Sequence, residues 1–399
     1  FLAGACPGIR NCFETVLPQG VAKLMNVIVS VHGRFHAFEL AAGLHRQNVL
    51  TELLTTYPGF AVKRITGVDL PVKSAWWIEA GRRLANTSFD PVTLASAFGR
   101  FTANHLTESA DLLVGWSSAT LEALKPARAS GMNVIIERGS THIVHQTEVL
   151  MKAYADHGHT FTETSPAIIE REEVEYNEAD AIAVPSTFAK RTFIERGFPD
   201  KKLIVNPYGV DLLRFSPTTE VPNHRTIRIL FVGQVSIRKG VPDLITAFAQ
   251  LSDKTELLLV GPIEPIMQKL LSTMPMERVQ VRGAVPAEAL PDIYKEADIF
   301  CLPSLEEGLP LVLLQAMASG LPIAATPETG AEDIIADGKE GRIVSANNHE
   351  ALHGILEAMV SDAEERHAMG QAARAKVKDS WSWNDYVDRA MTSYQALVG

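Results

Sequence analysis

A chain of 399 residues exceeds the size at which one hydrophobic core stops growing, so two domains are expected. Its 46% hydrophobic and 21% charged content suits a water-soluble globular protein, and a formal net charge of −10 argues against a general nucleic-acid binder. Three cysteines make no disulfide framework, and no apolar run reaches the roughly 18 residues a bilayer span requires, so a cytoplasmic product is expected. The acidity is uneven: Lys and Arg number 20 against 22 Asp and Glu in residues 1–213, and 17 against 25 thereafter. The near-neutral first half leaves basic spots such as Arg82-Arg83 open to anionic partners.

In chain order, the opening FLAGACPGIRNCFETVLPQGVAKL has no initiating Met and no signal-peptide layout. Residues 1–24, with Cys6 and Cys12, are read as a non-native extension or a surface arm. The first convincing strand is MNVIVSVHG, at Asn26–Val31, followed by strands at Asp111–Gly115, Asn133–Glu137 and Ala181–Val184. Helices are expected over HAFELAAGLHRQN, SSATLEALKPARASG and STFAKRTFIERG, each ending near the Gly or Asn that a C-cap favours. The stretch KSAWWIEAGRRLAN (73–86) reads as a packed helix with a solvated face, and a membrane-facing element is the other reading.

SPTTEVPNH (216–224) has linker composition, and beyond it the pattern restarts. RTIRILFVG, TELLLVG, VQVRGAV, DIFCLPS and LPIAAT are strands, with Cys301 a buried small residue in the fourth. GVPDLITAFAQLS, IMQKLLSTM, ALPDIYKEA, a segment opening at Pro310, and the tail are helices. Strands alternating with covering helices imply two doubly wound α/β units, whose ligands bind at the carboxyl ends of the strands.

Four strand-end loops could carry chemistry. In FVGQVSIRKGVPDL, Gly233 allows close backbone approach while Arg238 and Lys239 place two cations beside a helix start, a combination suited to a diphosphate. In SLEEGLPLVLLQAM, Gly308 and Pro310 form a turn, with Pro310 expected at the first helical position. Amides of Leu311 and Val312 then point out of the helix start, with Glu307 just ahead and Gln315 about two turns on, from the helical period. A helix cap and a core amide are the plain readings of that acid and that glutamine. IIERGSTHIVHQ offers His142 at a strand end, with His145 a competitor, and SVHGRFHAF offers Gly33 and Arg34 for a phosphate or acceptor hydroxyl. No HExxH, CxxC, GxSxG or GxxxxGK[ST] pattern occurs, and no metal is expected.

Together and in this order, these loops resemble the retaining glycosyltransferases of the two-domain GT-B fold, glycosyltransferase family 4 (glycosyl transferases group 1). The likeness covers nearly all of residues 25–399 and is strongest from about 203 onward, through LIVNPYGVDLLRF, FVGQVSIRKG, LPDIYKEADIFCLPSLEEGLPLVLLQAMASGLPIAAT and SWSWNDYVDRAMTSY. It implies an acceptor-binding Rossmann-like domain at 25–213, a nucleotide-sugar-binding one at 214–380, and a terminal helix at 381–399 returning to the first. Lys239, with Arg238 beside it, would bind the donor diphosphate. Glu307 matches the first acid of a Glu-x7-Glu pair and would contact the donor sugar. Gln315 stands where the second Glu holds the ribose, Val285 lies near the base, and His142 would face the sugar from the first domain.

Two positions depart from that family. Gln234 replaces an Arg after the loop glycine, with Arg238 restoring the charge, and Gln315 replaces a Glu, losing charge-assisted bonds to the ribose. The implied activity is retaining, metal-independent transfer of a sugar from a nucleotide diphosphate sugar, UDP or GDP type, to a glycan, lipid-linked or small-molecule acceptor. No cofactor is implied, a peripheral contact at the inner membrane face is open, and donor, acceptor and oligomeric state are not legible. A non-catalytic nucleotide-sugar-binding protein and a GT-B epimerase are the rival expectations.

Overall fold

Strand β1 (Val27–Val31) is buried along its whole length, as a parallel strand covered on both faces must be. It belongs to a seven-stranded sheet with β2 (Leu50–Thr55), β3 (Val72–Ser74), β4 (Leu112–Trp116), β5 (Asn133–Glu137), β6 (Ala181–Val184) and β7 (Leu203–Val205). The order is β3-β2-β1-β4-β5-β6-β7, every neighbouring pair parallel. The covering helices are α1 (Ala37–Arg46), α2 (Gly59–Thr66), α3 (Trp76–Leu84), α4 (Pro91–Ala103), α5 (Leu121–Ala129), α6 (Ile143–Asp156), α7 (Pro166–Glu178) and α8 (Thr187–Ile194). This computed structural model describes residues 25–84, 90–218 and 226–399.

A second sheet repeats the plan with β8 (Ile227–Val232), β9 (Thr255–Val260), β10 (Val279–Gly283), β11 (Ile299–Leu302), β12 (Ile323–Ala325) and β13 (Gly341–Ile343). Its order is β10-β9-β8-β11-β12-β13, again wholly parallel. Around it lie α9 (Val241–Ala249), α10 (Pro265–Leu271), α11 (Leu290–Lys295), α12 (Leu311–Ala318), α13 (His349–Ser361) and α14 (Ala363–Ser380). In both sheets the strand order reverses beside the first strand, between β1 and β4 and between β8 and β11. Such a reversal opens a crevice at the carboxyl ends of those strands. The two sheets and their helices form the GT-B fold.

The chain crosses between the units twice, and the crossings touch. Val210 donates its amide to the Trp381 carbonyl at 2.8 Å, and a Cβ on Gly209 would lie 2.5 Å from the Ser382 carbonyl oxygen. Ser382 then opens α15 (Trp383–Val398) with a reciprocal capping box to Asp385. Helix α15 lies on α1, where Gly43 leaves room for Val387 and Gln47 donates to Asp388 at 2.8 Å. Tyr386 and Tyr394 are thereby buried against the first unit.

Several expectations shift. Strands β2, β3 and β7 escape the apolar-run reading: β2 carries Thr51 and Glu52, while the others are three residues long. Pro310 is the residue before α12 rather than its first member, since its ψ of 128° is extended. Trp76 and Trp77 are 58% and 51% exposed, so the packed reading of that stretch fails for both and holds for buried Ala75 and Ile78. Cys301 is fully buried, as expected. Residues 1–24, most of the linker at 216–224 and the side chains of Arg82 and Arg83 lie outside the described residues.

Candidate active site

The loop after β8 carries the two expected cations into the crevice. Gly240 takes a left-handed φ of 66°, and a Cβ there would lie 1.9 Å from the Pro303 carbonyl oxygen. Only glycine meets both demands, so the turn that ends in Arg238-Lys239 and starts α9 is glycine-dependent. The Lys239 ammonium pairs with the Glu307 carboxylate. Arg238 pairs with Glu306 at 2.9 Å, lies 3.8 Å from Glu307, and donates through Nε to the Glu306 carbonyl at 3.2 Å. Burial would lower the pKa of Arg238, but Glu307 and Glu306 outweigh it and raise it further.

The loop after β11 supplies the acids. Glu307 is 8% exposed, and its amide donates to the Glu328 carbonyl at 2.9 Å. Glu306 has no exposed surface. Its Oε1 accepts from Ser140 Oγ at 2.5 Å and Thr141 Oγ1 at 2.6 Å, while Oε2 accepts from Gln146 Nε2 at 2.9 Å and faces Arg238. Burial pushes its pKa up, but Arg238 and those three donors together hold it down at about 2. Glu306 therefore stays ionised at neutral pH.

Across the crevice stand loops of the first sheet. Gly308 is pressed against them, since a Cβ there would lie 2.4 Å from the Gly139 carbonyl oxygen and 2.6 Å from Pro185. Ser186 Oγ donates to the Gly308 carbonyl at 2.6 Å, and Arg191 pairs with Glu332 at 3.1 Å. Between the two sides lies a cavity of about 460 Å³, bordered by His36, Arg138, Ser140, Tyr208, Arg238 and Glu307. Leu311 borders it too, and on its other side begins a second depression of about 420 Å³ containing Gln315, Arg34, Arg214 and Phe215. Glu307 and Gln315 thus flank Leu311 in adjoining spaces rather than sharing one. Gln315 is half-buried, and its Oε1 accepts from the Tyr294 hydroxyl at 3.2 Å; Tyr294 also reaches the Val312 carbonyl at 3.3 Å.

Other expected residues fall in different places. Gly233 has a φ of 155° and lies beside Lys239, a Cβ there being 3.8 Å from Lys239 Cε, while Gln234 is exposed. Val285 is half-buried against the second unit's core. Gly33 lies on a third depression with Phe60 and Trp76, and Arg34 pairs with Glu39 at 3.3 Å. His142 is corrected. It is fully buried, its Nδ1 caps α6 through the Val144 amide at 3.2 Å, and its ring packs on Tyr176, Phe193 and Phe198. Burial first, then Arg196, Arg138 and His145, lowers its pKa to about 4. A neutral core imidazole cannot reach a sugar in the crevice.

The sequence reading overlooked three cavity residues. His36 is the imidazole that borders the crevice, with Nε2 3.4 Å from Glu137 Oε2 and its ring 4.3 Å from that of Tyr208. Arg138 directly follows β5 and pairs with Glu172 at 3.2 Å. Glu306 is the neglected half of Glu306-Glu307. Their common signal was a charged or imidazole side chain just past a strand's carboxyl end.

Residues 216–376 match the sequence model of one family, described as glycosyl transferases group 1. Through that stretch the chain is similar to the glycosyl transferases group 1 family. Among similar proteins is a GDP-mannose-dependent alpha-(1-6)-phosphatidylinositol monomannoside mannosyltransferase from Mycolicibacterium smegmatis, 29% identical over 228 residues, 52% of this chain and 60% of that protein. A D-inositol 3-phosphate glycosyltransferase from Corynebacterium urealyticum is 28% identical over 282 residues, 64% of this chain and 65% of its own length. The matches therefore span under two thirds of these curated relatives. In three dimensions the chain is similar to a sucrose-phosphate synthase from Thermosynechococcus elongatus, with TM-score 0.71, 18% identity, and coverage of 94% and 99%. It is also similar to HepE of Anabaena in complex with UDP and glucose, with TM-score 0.66, 16% identity, and coverage of 93% and 100%. Those likenesses are of fold. Among the described residues, no helix is long and apolar enough to cross a membrane.

Proposed function

We propose that the chain is a retaining glycosyltransferase that moves a sugar from a nucleoside diphosphate sugar to an acceptor hydroxyl. The observation that carries this reading is the pairing of Arg238-Lys239 with Glu307 at the switch point of the second sheet, facing a cavity that the first sheet's loops close. Two cations and the amides at the start of α12 suit a diphosphate, whose oxygens would take the place of Glu307 on Lys239. Freed from that ion pair, Glu307 would accept hydrogen bonds from the sugar hydroxyls. His36, not His142, would contact the sugar from the first unit. Gln315 would meet the ribose, with its amide donating to one hydroxyl while its oxygen is held by Tyr294.

In the reaction, the anomeric carbon–oxygen bond to the diphosphate breaks as a bond to the acceptor oxygen forms on the same face. The acceptor proton passes to the departing phosphate oxygen, so no protein nucleophile is needed. Charge gathers on the leaving diphosphate, and Arg238 and Lys239 stabilise it where water is largely excluded. No metal is invoked, since these side chains supply the positive charge. The names of relatives point to GDP-mannose in one case and UDP in another, and to inositol-containing acceptors, so both nucleotides are tested.

A thermal-shift screen of UDP, GDP, ADP and their sugars identifies the donor, because binding stabilises the native state by mass action. Incubation with that donor and inositol-lipid or glycan acceptors should release nucleoside diphosphate only with acceptor present, and the product should keep the donor's anomeric configuration. Binding without release would mark a non-catalytic nucleotide-sugar protein. Release without any acceptor would mark an epimerase or hydrolase.

A further inference from the structure

We propose that Glu306 is a positioning residue that latches the two domains together and, through its other oxygen, seats Arg238 for the diphosphate. The inference rests on the donor-site reading above for Arg238, but its latch half does not. The two carboxylate oxygens divide the work. Oε1 takes two hydroxyl donors from the first domain, Ser140 and Thr141, and Oε2 joins Gln146 of that domain to Arg238 of the second. A buried carboxylate left without such partners is strongly destabilised, so Glu306 can be satisfied this way only while the domains are closed.

Both ends of the latch are rigid. Arg138 Nε donates to the Thr141 carbonyl at 2.9 Å, and the His142 amide donates to Thr192 Oγ1 at 2.9 Å, which fixes the receiving loop. On the other side, the Leu305 amide donates to the Arg238 carbonyl at 2.8 Å, so the acid loop and the cation loop move as one. The latch lies at the crevice, while the two chain crossings at Val210 and Ser382 touch each other elsewhere and form the natural hinge. Opening about that hinge withdraws the hydroxyl donors from Oε1 and the amide of Gln146 from Oε2. Arg238 then holds Glu306 alone, and its guanidinium is drawn from the diphosphate toward the exposed carboxylate.

Two variants separate the halves. Thr141→Val keeps the shape and removes one cross-domain donor without touching Arg238. Glu306→Gln keeps an oxygen for Ser140 and Thr141 but sets an amide NH2 against Arg238 and Gln146. Small-angle X-ray scattering of nucleotide-free full-length protein should show a larger radius of gyration for both variants. Calorimetric titration with the nucleoside diphosphate should show about tenfold weaker binding for Glu306→Gln and less than threefold for Thr141→Val. Scattering unchanged from wild type in both folded variants overturns the latch. Expansion of Glu306→Gln with wild-type diphosphate affinity overturns the coupling to Arg238. If no nucleoside diphosphate binds the wild type, the donor-site reading fails, while the scattering arm still decides the latch.

Discussion

Lys239 makes one ion pair, to Glu307, whose carboxylate borders the cavity, and its own side chain keeps 16% of its surface exposed rather than being committed to the core. Lys239→Ala should therefore leave the protein folded and cut turnover about 100- to 1000-fold, as loss of transition-state charge stabilisation does. Near-normal turnover of a folded variant, judged by circular dichroism, would refute the assignment. Gln315 makes the opposite case. Its Oε1 already accepts from Tyr294, whose hydroxyl burial keeps protonated far above neutral pH. Gln315→Glu keeps that bond and adds a charged acceptor for the ribose. Charge-assisted bonds exceed neutral ones by about 1 kcal/mol, so the nucleoside diphosphate should bind about fivefold tighter, read by titration calorimetry. Unchanged affinity would remove Gln315 from the donor site.

At the scale of elements, the turn into α9 shows why pattern reading succeeds and where it stops. That Arg238 and Lys239 sit in a strand-end loop just before a helix was legible from residue types alone. That Gly240 makes the turn was not, because its reason is the Pro303 carbonyl 1.9 Å from where a Cβ would be, a contact some 60 residues away in sequence. Gly240→Ala must strain a left-handed φ and push that carbonyl aside, costing roughly 2–4 kcal/mol and displacing Lys239. Chemical denaturation should show the loss, and a stability within about 0.5 kcal/mol of wild type would contradict it. The same limit explains His142 and Glu306. Each sits just past the end of a strand, which is what made His142 attractive. Which of two neighbouring loop residues faces the crevice depends on the partner sheet, so His36 and Glu306 emerged only when both halves were in place. The long parallel strands were legible because burial on both faces makes them uninterrupted apolar runs. Strands β3 and β7 are too short to carry that signal.

At the scale of the molecule, three buried groups give stability a defined pH profile. His142 has a folded pKa of about 4 against an ordinary 6.5, chiefly through burial and then Arg196. The unfolded chain takes up a proton there that the native chain refuses, so this contribution is full above pH 6.5 and declines toward pH 4. Glu306, at about 2 against 4.5, contributes fully above pH 4.5 and loses that contribution between 4.5 and 2. Glu175 runs the other way. Burial raises it to about 8, even though it accepts from the Thr120 and Ser118 amides in the loop that borders the cavity, so its contribution is full below pH 4.5 and lost by about pH 8. His142 and Glu175 oppose each other between pH 4.5 and 6.5, which should leave a broad plateau in melting temperature. Below 4.5, His142 and Glu306 act together, and the fall should be steep and accompanied by domain opening, because Glu306 spans both units. Above 6.5 only Glu175 still changes, so the melting temperature should slip by a few degrees toward pH 8. Glu175→Gln cannot titrate and should abolish that alkaline slope while keeping the acid limb. A scan of melting temperature over roughly pH 3 to 9 checks both arms, and an alkaline slope that persists in Glu175→Gln would show that another group sets it.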